Sequence, residues 1–89
     1  MSEQLKSQIE SVLFVSGDAV SIRRLKQLFP AAGEEEIRSA LEALQEEYRA
    51  RGVRVAAKDG RVQMVSAPEH AALVGLFVKS HLSEELTPA

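Results

Sequence analysis

From Glu34 to Tyr48 the apolar residues Ile37, Ala40, Leu41, Leu44 and Tyr48 recur at steps of three, one, three and four. That spacing lays them along one stripe of an α-helix and predicts a helix over Glu34–Ala50. Glu34, Glu35 and Glu36 crowd its first turn, where negative charge favours the free N–H groups and the positive end of the helix dipole. Arg49 and Arg51 stand at the other end, and Gly52 follows where a left-handed residue would stop the helix. The outer face carries Glu42, Gln45, Glu46 and Glu47 and is strongly acidic.

The flanking segments show the same period. Leu5, Ile9, Val12 and Leu13 make the stripe of a first helix over Glu3–Val15, with Ser2 as its expected N-cap and Gly17 as its stop. Phe14 and Val15 widen the stripe until the last turn is apolar nearly all round. That end is expected to be deeply buried or covered by a partner. Val20–Phe29 predicts a short second helix, capped by Ser21, with Val20 folding back on Leu25. Ile22, Leu25 and Leu28 point inward, and Arg23, Arg24 and Lys26 face water. Pro30 closes it by pushing Phe29 out of the helical region.

After Gly52 the period changes to two. Val53, Val55 and Ala57 alternate with Arg54, Ala56 and Lys58, and Val62 and Met64 alternate with Arg61 and Gln63. Asp59-Gly60 between the runs predicts a two-stranded hairpin with a type I′ turn. A fourth helix follows from Ala67 to about His81. Ser66 with Glu69 has capping-box spacing, whereas Pro68 at the first helical position makes Ala67 the cap, and the spacing leaves both open. Three helices, a hairpin wing and a fourth helix define an α+β, mostly helical, winged helix-turn-helix domain over residues 1–83. Residues 84–89 are expected to form a linker, and Leu86-Thr87-Pro88-Ala89 has the form of a helix start leading into a further domain.

Composition narrows the function. The 89 residues are 45% hydrophobic and 27% charged, with a net charge of −2 and no cysteine. Disulfides and thiolate metal sites are thereby excluded, and one core must rest on packing. No apolar run reaches the roughly 20 residues of a membrane span. His70 and His81 are eleven residues apart. On a helix rising about 1.5 Å per residue they lie about 16 Å apart and cannot share a metal. No glycine-rich phosphate loop or positioned nucleophile occurs. The carboxylate pairs Glu34–Glu36 and Glu46–Glu47 belong to a solvated helix face. The pattern is that of a protein that is not an enzyme and needs no cofactor.

A winged helix normally reads DNA with its third helix in the major groove. Here that helix carries Glu34, Glu35, Glu36, Glu42, Glu46 and Glu47 against Arg38, so strong direct DNA binding is not expected. The wing (Arg54, Lys58, Arg61) and Arg23, Arg24 and Lys26 are basic enough for weak contact. A DNA-binding transcriptional regulator is the alternative that these residues keep open. The fourth helix instead points to protein contact. Leu73, Leu76 and Phe77 fill its expected core face, leaving Val74 and Val78 on an adjoining apolar face. The expected partner surface is Leu73, Val74, Phe77 and Val78, with Phe14 and Val15 as a second candidate.

Several runs resemble one family. Residues Ile9-Glu10-Ser11-Val12-Leu13-Phe14-Val15-Ser16-Gly17-Asp18-Ala19-Val20-Ser21 are similar to the opening of the segregation and condensation protein B family. So are the acidic Glu34–Tyr48 helix and Gly60-Arg61-Val62-Gln63-Met64-Val65-Ser66 with its continuation Ala67-Pro68-Glu69. The tail Leu86–Ala89 resembles the start of that family's second winged-helix domain. The sequence departs from the family pattern at Ala19, where proline is usual, and near Arg61–Val62, where an aromatic residue is usual. The resemblance implies a bacterial cytoplasmic homodimer that joins a kleisin subunit and the structural-maintenance-of-chromosomes ATPase in chromosome condensation and segregation. Catalysis would then belong to the ATPase partner.

Overall fold

The computed structural model describes residues 2–86. The chain forms α1 (Ser2–Ser16), β1 (Val20–Ser21), α2 (Ile22–Leu28), α3 (Glu34–Glu47), β2 (Val53–Lys58) and β3 (Arg61–Ser66). A 3₁₀ turn (Pro68–His70) then leads into α4 (Ala71–Leu86). The three strands make an antiparallel sheet in the order β1-β3-β2.

The first three helices build the core with the hairpin. Ile9 and Leu13 of α1, Leu25 of α2 and Ile37, Ala40, Leu41 and Leu44 of α3 are buried against Val20, Val55 and Val62 of the sheet. Leu5, Val12, Ile22 and Tyr48 pack around them partly buried. Leu28, expected inside, is nearly half exposed because it lies in the last turn of a seven-residue helix. Ser21 Oγ accepts the Arg24 N–H at 2.9 Å, so the predicted cap of α2 is made. Phe29 leaves the helix at φ −122°, as the following proline requires.

Several boundaries move. Helix α1 opens at Ser2 itself, so this serine is a helical residue and not the cap. Gly17 ends the helix at φ 64°, in the left-handed region. Helix α3 stops at Glu47, three residues before the predicted Ala50, with Tyr48 as its C-cap. The chain tightens there: Arg51 N–H donates to the Tyr48 carbonyl at 3.1 Å, and the Arg51 guanidinium lies 5.0 Å from the centre of the Tyr48 ring. The stop is therefore made by turns after Tyr48, and Gly52 is not left-handed. Gln45, placed on the outer face, is half-buried and donates to the Val55 carbonyl at 3.3 Å.

The hairpin is the one predicted. Lys58 pairs with Arg61 across a two-residue loop, and Asp59 and Gly60 have φ of 54° and 74°, as a type I′ turn requires. The sequence reading missed β1. Val20 pairs with Val62 and Ser21 with Arg61, and the Ile22 N–H donates to the Gly60 carbonyl at 2.9 Å. These bonds tie the start of α2 to the tip of the wing.

Candidate functional site

Among the described residues the hydrogen bond and ion pair that hold helix α4 to the body lie at its root. Ala67 is fully buried, its N–H donates to the Gly52 carbonyl at 2.8 Å, and Arg54 meets Glu69 at 2.5 Å. Ala67 is the cap preceding Pro68, and the Ser66–Glu69 capping box does not form. Beyond this root the shaft leaves the body, and the described chain is elongated, 51 × 26 × 24 Å.

The predicted core face of α4 is not buried. Leu73, Leu76 and Phe77 are 67%, 68% and 66% exposed; Val78 and Leu82 are about half exposed, and Val74 is partly covered. The physical reason lies in the side chains themselves. From Ala71 to Val78 every residue is apolar or glycine, so this half of the helix has no polar side to turn toward water, and the three-helix core is complete without it. Phe77 stacks on His81 with ring centroids 5.7 Å apart.

The end of α1 is also uncovered within the chain: Phe14 is 78% and Val15 80% exposed. Phe14 borders a shallow depression with Glu10, Tyr48, Val53 and Met64. Val53 pairs with Ser66, next to the root of α4, so Phe14 and α4 lie at the same end of the sheet. Val15 borders a different depression, with Val12, Val20, Arg24 and Leu28, on the α2 side. The fold therefore groups Leu73, Val74, Phe77 and Val78 on one helix, brings Phe14 toward its root and sets Val15 apart.

Several charged residues of α3 occupy structural posts. Glu34 meets Arg38 at 2.9 Å and Lys26 at 3.3 Å, linking α3 to α2. Those hydrogen bonds, Arg38 first, hold the Glu34 carboxyl below its ordinary 4.5, opposite to what a general acid needs. Glu36 accepts the Gly33 N–H at 3.1 Å, Glu46 meets Arg49 at 2.9 Å, and Glu47 is paired with Lys6. The Tyr48 hydroxyl donates to Glu10, which ties α3 to α1. Among the described residues no group of three or more His, Cys, Asp or Glu is placed to hold a metal. No helix among them is long and apolar enough to cross a membrane.

Three packed helices, a β1-extended wing and a fourth helix with an exposed apolar half define a winged-helix domain. Residues 7–89 match the family described as segregation and condensation complex subunit ScpB, and the chain belongs to that family. It is 31% identical over 86 residues to segregation and condensation protein B of Caldanaerobacter subterraneus subsp. tengcongensis, covering 94% of this chain and 51% of that protein. The protein of the same description from Clostridium botulinum (strain Kyoto / Type A2) is 29% identical over 86 residues, covering 94% and 44%. The chain thus spans about half the length of the curated relatives it matches.

Solved structures agree on the fold. A crystal structure described as a dimer of the ScpB N-terminal domain complexed with ScpA peptide superposes with a TM-score of 0.74 at 23% identity, covering 84% of this chain and 95% of that one. A conserved hypothetical protein from Chlorobium tepidum gives 0.73 at 26% identity, covering 94% and 56%.

Proposed function

We propose that this chain is a dimerising, non-enzymatic component of a bacterial condensin-like complex. It would pair with a second copy, bind a kleisin subunit and thereby join the structural-maintenance-of-chromosomes ATPase in chromosome condensation and segregation, in the cytoplasm at the nucleoid. Membership of the family supports the segregation role. The observation that carries the pairing is α4, whose Leu73, Leu76 and Phe77 lie about two-thirds exposed in a stretch, Ala71–Val78, without a polar side chain. An apolar surface of this kind is stable in water when another protein covers it. The ScpB N-terminal domain of matching fold crystallised as a dimer with an ScpA peptide, which points the same way.

The proposed pairing surface is Leu73, Val74, Phe77 and Val78, extended at the α4 root by Phe14; Val15 lies outside it. A twofold arrangement would set α4 of each copy on the same patch of the other. Sedimentation equilibrium at tens of micromolar should return twice the 9.7 kDa chain mass. Calorimetric titration with a kleisin fragment from the same genome should give saturable binding. A monomer would overturn the pairing, and absence of kleisin binding would overturn the place in the complex.

A further inference from the structure

The outward face of the sheet carries a second, chemically different surface. Val55 and Val62 are buried and side chains alternate along a strand. The register Arg54–Val65, Ala56–Gln63 and Lys58–Arg61 therefore lies on the face away from the core. Strand β1 adds Ser21 beside Arg61. The Ile22 N–H donates to the Gly60 carbonyl at 2.9 Å, and Arg23 borders the same depression as Gly60. One short missed strand thus gathers Arg23, Lys58 and Arg61 around the wing tip.

These three cations differ from most others in the molecule. Lys6, Lys26, Arg38, Arg49 and Arg54 each meet a carboxylate. Among the described residues Arg23, Arg24, Arg51, Lys58, Arg61 and Lys79 are exposed and have no ion pair, and of these Arg23, Lys58 and Arg61 gather at the wing tip. Asp59 in the turn stands among them, and Glu34 borders the depression beside Arg23 but is matched by Lys26 and Arg38, which leaves a net positive tip on a chain of net charge −2.

We propose that this face contacts the sugar–phosphate backbone of duplex nucleic acid, without reading its sequence. Phosphate binding asks for unpaired cations on an accessible surface. Binding an acidic protein segment would in addition ask for an apolar or aromatic anchor. Between the cations stand Ser21, Ala56 and Gln63, and the apolar neighbours Ile22 and Val65 are themselves partly buried, so the tip offers no large apolar or aromatic anchor. The acidic outer face of α3 repels the backbone, so the duplex lies along the wing and away from the helix that would otherwise enter the major groove. The contact does not rest on the pairing proposed above, since one chain holds all three charges.

Three charges make a weak, salt-sensitive contact. With a slope near −0.9 per neutralised phosphate, affinity should fall about 40-fold between about 50 and 200 mM salt. Fluorescence anisotropy of the 89-residue chain on two unrelated labelled duplexes measures this directly. Both duplexes should bind equally and show that salt dependence. Lys58→Glu with Arg61→Glu should abolish binding at the lower salt, and the milder Lys58→Gln with Arg61→Gln should weaken it, both with an unchanged circular dichroism spectrum. Arg49→Glu with Arg51→Glu, the same charge change away from the wing, should retain most of it. Absence of binding at low salt, equal loss in both glutamate variants, a clear preference for one duplex, or binding of a poly-glutamate peptide in place of DNA would each overturn the proposal.

Discussion

Replacing Gly60 by valine probes how the wing is held. Gly60 has φ 74° and nothing lies within 4 Å of a Cβ built on it, so the penalty is one of backbone conformation, not of collision. An L-residue forced into the left-handed region costs about 1–2 kcal/mol. Valine, branched at Cβ, falls at the upper end. The damage is not confined to the turn, because the Gly60 carbonyl also holds the Ile22 N–H and so fixes β1 and the start of α2. At about 4–8 °C per kcal/mol for a domain of this size, the melting midpoint should fall by about 8–16 °C. Far-ultraviolet circular dichroism on heating measures it. Gly60→Asn, which tolerates positive φ, should keep most of the stability. Gly52→Ala is the matched control: Gly52 has no positive φ, and an added Cβ there is equally unobstructed. It should leave the midpoint unchanged or raise stability by about 0.4–1 kcal/mol through the unfolded chain. An unchanged midpoint for Gly60→Val, or an equal fall for Gly52→Ala, would refute the assignment of the left-handed position.

Three further outcomes follow from the packing and the ion pairs. The hydrogen bond to Glu10, then burial, holds the Tyr48 hydroxyl above its ordinary 10.0, so its contribution is complete below pH 10.0 and lost as pH rises through the folded value. Tyr48→Phe should flatten the alkaline fall of the urea midpoint; a fall as steep as the parent's would remove Tyr48 as its source. Glu34 is held below 4.5 by Arg38 and then Lys26, and Glu69 by its own backbone N–H and then Arg54. Their stabilisation is present above pH 4.5 and lost as pH falls through the depressed values, so Glu34→Gln with Glu69→Gln should flatten the acid limb of the same plot. Val62, almost fully buried on the central strand, should cost about 1.5–3 kcal/mol when cut to alanine. Urea unfolding should show this as a lower midpoint at constant slope, and a change confined to the slope would contradict it.

The elements legible in the sequence are those whose information is local. Helix α3 has five apolar residues in one stripe, and the wing has a two-residue turn whose positive φ at both positions selects Asp-Gly. Strand β1 was illegible because two residues cannot display a period. Val20 and Ser21 also satisfy a helix entry, and Ser21 serves both as strand and as cap. At α4 the apolar excess was legible but its direction was not. Leu73, Leu76 and Phe77 have core spacing, yet whether a helix lies on its own domain depends on how far the other elements have already closed the core. Ile9, Leu13, Leu25, Ile37 and Leu44 close it among themselves and the sheet. The same holds for Phe14 and Val15, whose position beyond the α1 stripe leaves them in water. The basic tip of the wing was legible only as scattered residues, because the strand that gathers Arg23 to Lys58 and Arg61 was missed. Of the helix start expected at Leu86-Thr87-Pro88-Ala89, Leu86 is instead the last residue of α4, and Thr87, Pro88 and Ala89 lie outside the described residues.

Exposure on α4 identifies the substitutions that separate pairing from folding. Leu73 and Phe77 are four apart on one face, both about two-thirds exposed, and neither belongs to the buried core. Covering two-thirds of such a side chain gains about 1–2 kcal/mol. Two residues on each of two copies therefore contribute about 4–8 kcal/mol to a pair. That is comparable with the about 4–15 kcal/mol that association costs in lost freedom of motion. Leu73→Glu with Phe77→Glu removes that gain and sets like charges across the twofold axis. The dissociation constant should rise by about 10³-fold or more. The thermal midpoint of the isolated domain should hardly change, because neither side chain supports the core. Val74→Glu with Val78→Glu should weaken pairing less, since Val74 is already partly covered in the single chain. Sedimentation with parallel melting curves distinguishes the outcomes. A double variant that unfolds would mean that α4 supports the domain after all. One that still pairs at parental strength would move the interface off α4, to the end of α1, where Phe14, at the edge of the proposed surface, and Val15, outside it, are the next residues to change.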